Sequence, residues 1–273
     1  MKDYKIEEFL GEGSYGLVIK AARGGRFYAV KALINEMELQ GPGLSSFSLE
    51  AEILRRLDNP QVPGFVEAFT HEGIHYIVQE FIDGLPLSYL LDAGHRFSEE
   101  EIKEIVLQLL GILNDLHCPP RKKDAVIHRD LRLSNLLLKG EKVFLIDFGF
   151  ARFLDPSQNG FFPDPLKKKF CRSSGALLSK PLNRLKFAKK IPGPETYRLL
   201  RPEISPSSDL FGTGVVAVDL FSNWVEDESL FNRPWQEVLP LSEPFTNFLQ
   251  KLLSRKDGFS SAAEAMNYLK AAK

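Results

Sequence analysis

The chain has 273 residues, 44% hydrophobic and 26% charged, which suits one large domain or two packed lobes and excludes a disordered protein. A formal net charge of −1 gives no bulk field for nucleic acid or membrane, so any such attraction needs a local patch. Two cysteines, Cys118 and Cys171, and five scattered histidines make neither a disulfide framework nor a zinc cluster.

The chain starts Met1-Lys2-Asp3-Tyr4 with no apolar leader, and its longest apolar stretch, 214–221, is interrupted by Asp219 and too short for a bilayer. The expectation is a cytoplasmic protein without a membrane span. Residues 6–10, 17–21 and 27–33 are short apolar runs punctuated by glycines, and read as strands. Gly24-Gly25 between two of them is a hairpin signal. Over 50–57 the period changes, with Ile53, Leu54 and Leu57 on one helical face and Glu50 at the start. Two more strands are predicted near 65–70 and 75–81.

After Gly84 the pattern turns helical. Ser98 with Glu101 forms a capping box, and Ile102, Ile105, Val106, Leu109, Leu110, Leu113 and Leu116 then make a buried stripe. Short strands are predicted at 135–138 and 143–146 around a turn at 139–141. A buried helix is predicted over 209–221, and amphipathic ones over 243–253 and 261–269. The sheet-rich start and helix-rich remainder predict an α+β fold of two lobes joined near residues 80–84.

Between two strands lies Gly11-Glu12-Gly13-Ser14-Tyr15-Gly16-Leu17-Val18. Glycines let backbone N–H groups approach phosphate oxygens, although the pattern alone also describes a plain hairpin. A strand follows it, where a dinucleotide fingerprint needs a helix. Tyr28-Ala29-Val30-Lys31 ends a strand, and Glu50 follows as a candidate ion-pair partner for the lysine. His128-Arg129-Asp130-Leu131-Arg132-Leu133-Ser134-Asn135 supplies a candidate base in Asp130 and a neutral oxygen for a hard metal in Asn135. Asp147-Phe148-Gly149 adds a second carboxylate after a predicted strand. Each short motif has a bland reading as a turn; chance does not assemble the ordered set.

In that set the chain resembles the protein-kinase family over nearly its whole length, and among its members small single-domain bacterial Ser/Thr kinases. The resemblance implies one kinase domain over 1–273: a small antiparallel β-sheet lobe with one helix at 1–82 and a larger, mostly helical lobe at 83–273. It implies ATP and Mg²⁺ as cofactors and transfer to protein hydroxyls. Asp130, Lys31, Arg132 and Asn135 would be catalytic, and Asn135 and Asp147 would hold the metal. Gly11, Glu12, Gly13, Ser14, Tyr15, Gly16, Val18, Ala29, Lys31, Glu50, Gln79, Glu80, Ile82, Leu137 and Asp147 would surround the nucleotide. Leu54, Phe65, His128 and Phe148 resemble the apolar spine joining the lobes, and Asp209 the carboxylate that anchors it.

Two departures stand out. The family's Ala-Pro-Glu is here Arg201-Pro202-Glu203, and its usual C-terminal arginine is missing, with Arg255 the replacement candidate. For the acceptor, the resemblance implies lysine in Ser/Thr kinases where this chain has Arg132, which some tyrosine kinases share, while Thr196 favours Ser/Thr over Tyr. The activation segment, about 147–203, is basic. From 164 to 201 eleven Lys or Arg face only Asp164 and Glu195, a local balance of +9. That charge suggests autophosphorylation between Cys171 and Ser179, or an acidic partner or polyanion on Lys167–Lys169 and Lys186–Lys190. Nucleic acid is weakly supported, since Phe170, Phe187 and Tyr197 are the few aromatics there. A pseudokinase scaffold and a kinase of small-molecule hydroxyls are the alternatives. Against them stand the intact Lys31, Asp130, Asn135 and Asp147 and the Pro-Glu element.

Overall fold

Strands β1 (Lys5–Glu12), β2 (Gly16–Arg23), β3 (Arg26–Leu33), β4 (Phe65–His71) and β5 (Ile74–Glu80) form an antiparallel sheet in the order β1-β2-β3-β5-β4. The chain is seen in a computed structural model that describes residues 1, 3–12, 16–34, 42–160, 164, 166 and 200–271. Gly24 and Gly25 turn β2 into β3 with φ of 58° and 74°, the left-handed pair that matches a two-residue hairpin to strand twist. At Gly16 the reason is packing: a Cβ there would lie 1.8 Å from the Ala32 carbonyl oxygen, so only glycine lets β2 and β3 meet.

Helix α1 (Pro42–Arg56) covers the sheet and buries Phe47, Leu49, Ile53 and Leu54. It begins well before the predicted start near residue 50, so Glu50 sits inside the helix instead of opening it. Proline is tolerated in a first turn, and the serines after it hide the apolar period.

The larger lobe contains α2 (Leu87–Asp92), α3 (Glu99–His117), α4 (Pro206–Leu220), α5 (Trp235–Val238), α6 (Glu243–Leu252) and α7 (Ala262–Ala271). The capping box forms at α3: Ser98 Oγ accepts the Glu101 N–H, and the Glu101 carboxylate accepts the Ser98 N–H. The predicted stripe is buried, each aliphatic side chain contributing about 1.5–3 kcal/mol before entropy is subtracted. Strands β6 (Leu85–Pro86), β8 (Leu136–Lys139) and β9 (Lys142–Leu145) make one small sheet, and β7 (Val126–Ile127) pairs with β10 (Arg152–Phe153). Asn135 lies in a tight turn just before β8, not in the strand itself, because its N–H closes onto the Arg132 carbonyl.

One apolar core crosses between the lobes, joining Leu33, Leu54 and Ile77 to Leu136, Leu145, Phe148 and the faces of α3 and α4. Among the described residues no helix is long and apolar enough to cross a membrane.

Helix α4 is buried almost all round, and Asp219 lies inside it at 3% exposure. Its Oδ1 has no hydrogen-bond partner among the described residues, and burial pushes the carboxyl well above its ordinary value. The folded chain therefore holds a proton that the unfolded chain releases near pH 4, so stability falls as pH rises from about 4 to the raised folded value. Asp219→Asn cannot titrate. Its melting temperature should gain on that of the parent protein through this window, by about 2–4 °C per kcal/mol. Parallel melting curves from pH 4 to 8 would show that Asp219 does not carry this dependence.

Candidate active site

Between the lobes lies a cleft of about 940 Å³, roofed by β1–β3, backed by residues 79–84 and floored by the loop before β8. Lys31 on β3 faces it, held in register between Val18 on β2 and Ile77 on β5. Its Nζ donates to Glu50 Oε1 at 2.8 Å, Glu50 Oε2 at 2.9 Å and Asp147 Oδ1 at 2.9 Å. Burial works against the ammonium, but Asp147 and Glu50 outweigh it and hold Lys31 above its ordinary value. Burial likewise pushes Asp147 up, yet Lys31 and the Gly149 N–H bring it down to about 2. Both groups are thus charged at neutral pH.

Asp147 adopts a left-handed φ of 62°, uncommon outside glycine though easier for aspartate than for most residues. Its Oδ1 holds that conformation by accepting both Lys31 and the Gly149 N–H, the latter at 3.3 Å. Phe148 beside it is buried, its ring edge-on to His128 at 4.8 Å. Leu54 lies in the same core as Phe148 and Phe65 packs against it, while His128 meets that core through the Phe148 ring.

The loop carrying Asp130 is fixed from beneath by Asp209 in the first turn of α4. Oδ2 of Asp209 accepts the His128 N–H at 2.8 Å and Oδ1 the Arg129 N–H at 2.7 Å. His117 Nε2 lies 2.9 Å from Oδ2. Arg129 has φ 66°, and its N–H and that of His128 converge on this one carboxylate, a nest for an anion. Burial pushes Asp209 up, while His117, His128 and the Arg129 N–H hold it below the ordinary range.

Asp130 itself is 2% exposed. Its Oδ1 accepts Arg132 Nη2 at 2.5 Å, Arg132 Nε at 3.1 Å and Arg201 Nη2. Its Oδ2 accepts Asn135 Nδ2 at 3.2 Å, and the same amide donates to the Asp130 carbonyl at 2.9 Å. With its NH₂ so committed, Asn135 keeps its side-chain carbonyl oxygen without a hydrogen bond among the described residues. Asp147 likewise keeps Oδ2 after Oδ1 has taken its donors. One amide oxygen and one carboxylate oxygen are hard donors that fit Mg²⁺, which takes one or two protein carboxylates and completes its shell with water and phosphate. Among the described residues no group of three or more His, Cys, Asp or Glu forms an all-protein cage.

Of the expected nucleotide residues, Gly11, Glu12, Val18, Ala29, Lys31, Glu50, Gln79, Glu80, Ile82, Leu137 and Asp147 line the cleft. Gly16 is not among the residues that line it. Gly13, Ser14 and Tyr15 lie outside the described residues, as do Cys171, Thr196 and the basic positions from Lys167 to Arg198. At the back, Gln79 Nε2 is spent on the Pro63 carbonyl at 3.1 Å, and the Glu80 N–H on the Gly64 carbonyl at 2.9 Å. Arg255 reaches Glu203 at 3.5 Å, an exposed contact that adds little. Leu10, Ile146, Phe150, Leu166 and Arg201 also line the cleft and were not anticipated there. Only Arg201 carried a signal, as a charged residue where the resembled motif has alanine.

Comparison with known proteins agrees with this geometry. The family described as "Protein kinase domain" matches residues 4–258. "Probable serine/threonine-protein kinase YbdM" of Bacillus subtilis is 26% identical over 95% of this chain and 85% of its own length. The calcium/calmodulin-dependent protein kinase type II delta subunit of Oryctolagus cuniculus is 31% identical, over 59% of this chain and 30% of its own length. The crystal structure of the PknI kinase domain of Mycobacterium tuberculosis superposes with a TM-score of 0.66 over 99% of this chain and 96% of that one, at 18% identity.

Proposed function

The chain belongs to the protein kinase domain family, and from that premise we propose that it transfers the γ-phosphoryl group of ATP to serine and threonine hydroxyls of proteins, with Mg²⁺ bound. The family uses ATP and a divalent metal in general; the assignments below are specific to this chain. Residues 1–82 and 83–273 are taken as the lobes of a single domain, with 147–203 as its activation segment. The serine/threonine preference is supported by the description of the Bacillus relative and by Thr196 in the stretch before Pro202-Glu203.

The observation that carries the reading is the pairing of Lys31 with Glu50 and Asp147, set across the cleft from Asp130 and Asn135. Lys31 is held charged in the cleft by Glu50 and Asp147, and supplies the cation for phosphate oxygens. Asp130 presents Oδ2 to an acceptor hydroxyl, orienting it and accepting its proton; Arg132 beside it offers positive charge to the phosphoryl group. Asn135 and Asp147 would hold Mg²⁺, which when bound supplies neutralisation of phosphate charge. Ala29, Val18 and Leu137 line the cleft with apolar surface suited to a base.

The test is incubation of the purified chain with Mg²⁺, γ-labelled ATP and dephosphorylated casein, followed by mass spectrometric mapping. Label on serine and threonine is expected. Label confined to tyrosine would overturn the acceptor assignment, and no transfer to casein or to the chain itself would overturn the activity.

A further inference from the structure

Four side chains around Asp130 form a closed arrangement that the proposed chemistry does not by itself require. Arg129 is fully buried, and its guanidinium is engaged on every nitrogen. Nε donates to the Arg201 carbonyl at 2.6 Å, Nη1 to the Phe150 carbonyl at 3.4 Å, and Nη2 to both oxygens of Asp164 at 3.1 and 2.8 Å. Arg201 answers it: its Nε donates to the Arg129 carbonyl at 2.8 Å and its Nη2 to Asp130 Oδ1. Its guanidinium also lies 5.2 Å from the Phe150 ring centre. Asp164 is fixed in turn by the Leu166 N–H at 3.0 Å.

We propose that Asp164 and Arg201 are positioning residues for Asp130, clamping the catalytic loop through Arg129 so that phosphoryl transfer needs no phosphate on the activation segment. The inference rests on the kinase reading above. Arg129, Arg132 and Arg201 surround Asp130, and Arg152 and Arg201 both repel Arg129. Burial also weighs against the Arg129 cation, and Asp164 is the carboxylate that offsets both effects. A phosphate could reach Arg129 only by displacing Asp164, whose two oxygens share the Arg129 Nη2 in a buried, charge-assisted pair. The anion that the arginine needs is therefore already in the chain. Arg201 then transmits the clamp: with Oδ1 of Asp130 held by two arginines, the carboxylate cannot rotate, and Oδ2 remains the oxygen for the acceptor hydroxyl.

The full chain is assayed with Mg-ATP and dephosphorylated casein before and after phosphatase treatment, with loss of all chain phosphate verified by mass spectrometry. Turnover of the dephosphorylated protein should persist. Asp164→Ala should lower kcat by roughly 5- to 150-fold, the span of such coupling, with KM for ATP unchanged, and Asp164→Glu should restore most of the loss. Asp164→Asn keeps the shape without the charge and serves if the alanine variant does not fold; it should lose kcat alike. Arg201→Ala should lower kcat in the same way. The clamp is overturned by a parent protein that is active as purified and inactive once dephosphorylated, by Asp164 variants with unchanged kcat, or by a rise in kcat in Arg201→Ala, which would make Arg201 a plug on the base. A parent protein that transfers no phosphate under any condition overturns the kinase reading itself, and the clamp with it.

Discussion

Asp130→Asn is expected to abolish phosphoryl transfer to a protein acceptor while leaving ATP binding intact. The substitution keeps an oxygen for Arg132 and Arg201, so the loop retains its shape, but an amide has no basic site for the hydroxyl proton. General-base contributions are typically about 10²- to 10⁴-fold, and kcat should fall by that order. The nucleotide end of the cleft contains Lys31, Glu50 and Asp147, none bonded to Asp130, so fluorescence titration with ATP should give an unchanged affinity. Turnover like that of the parent protein, or a matching loss of ATP affinity, would remove Asp130 from the role of base.

Lys31→Met and Asp147→Ala should both abolish activity but differ in what else they lose. Without Lys31, the buried Glu50 carboxylate loses its counter-charge and faces Asp147. Breaking a buried ion pair from one side costs about 3–5 kcal/mol, so this variant should melt well below the parent protein as well as fail to bind ATP. Asp147→Ala leaves Lys31 and Glu50 paired and should fold with smaller cost. Its signature is at the metal: ATP affinity should no longer depend on Mg²⁺. Titrations with and without Mg²⁺ that show the parent protein's coupling would exclude Asp147 as a ligand, and equal melting temperatures for the two variants would show that the Lys31 pair is not structural.

Much of this site was readable because its signals are local. Gly24-Gly25 demands left-handed φ at both positions, and the capping box at Ser98 needs only residues three apart. The stripe on α3 repeats at three and four residues because that is how a helix presents one face. Lys31, Asp130, Asn135 and Asp147 stand beside short motifs whose order suffices to name them. Where local rules compete, the reading shifted: α1 starts at Pro42 because packing of Phe47 and Leu49 on the sheet overrides a serine-rich stretch without period. At Gly16 the absent side chain also serves the contact of two strands.

The sequence by itself thus determined the two-lobed class and the cleft-forming elements, which rest on period and turn chemistry, while the residues proposed for phosphoryl chemistry came from motifs that resemble the protein-kinase family. The tertiary structure alone decided how Asp130 is held. Arg129 meets Asp164 across 35 positions, and Arg201 meets Asp130 across 71, in both cases through long side chains. Such contacts leave no periodic trace, because nothing about an arginine in a loop says which distant carboxylate it will neutralise. Only closing the chain around the catalytic loop excludes water from those charges, and that exclusion is what obliges each to find its partner.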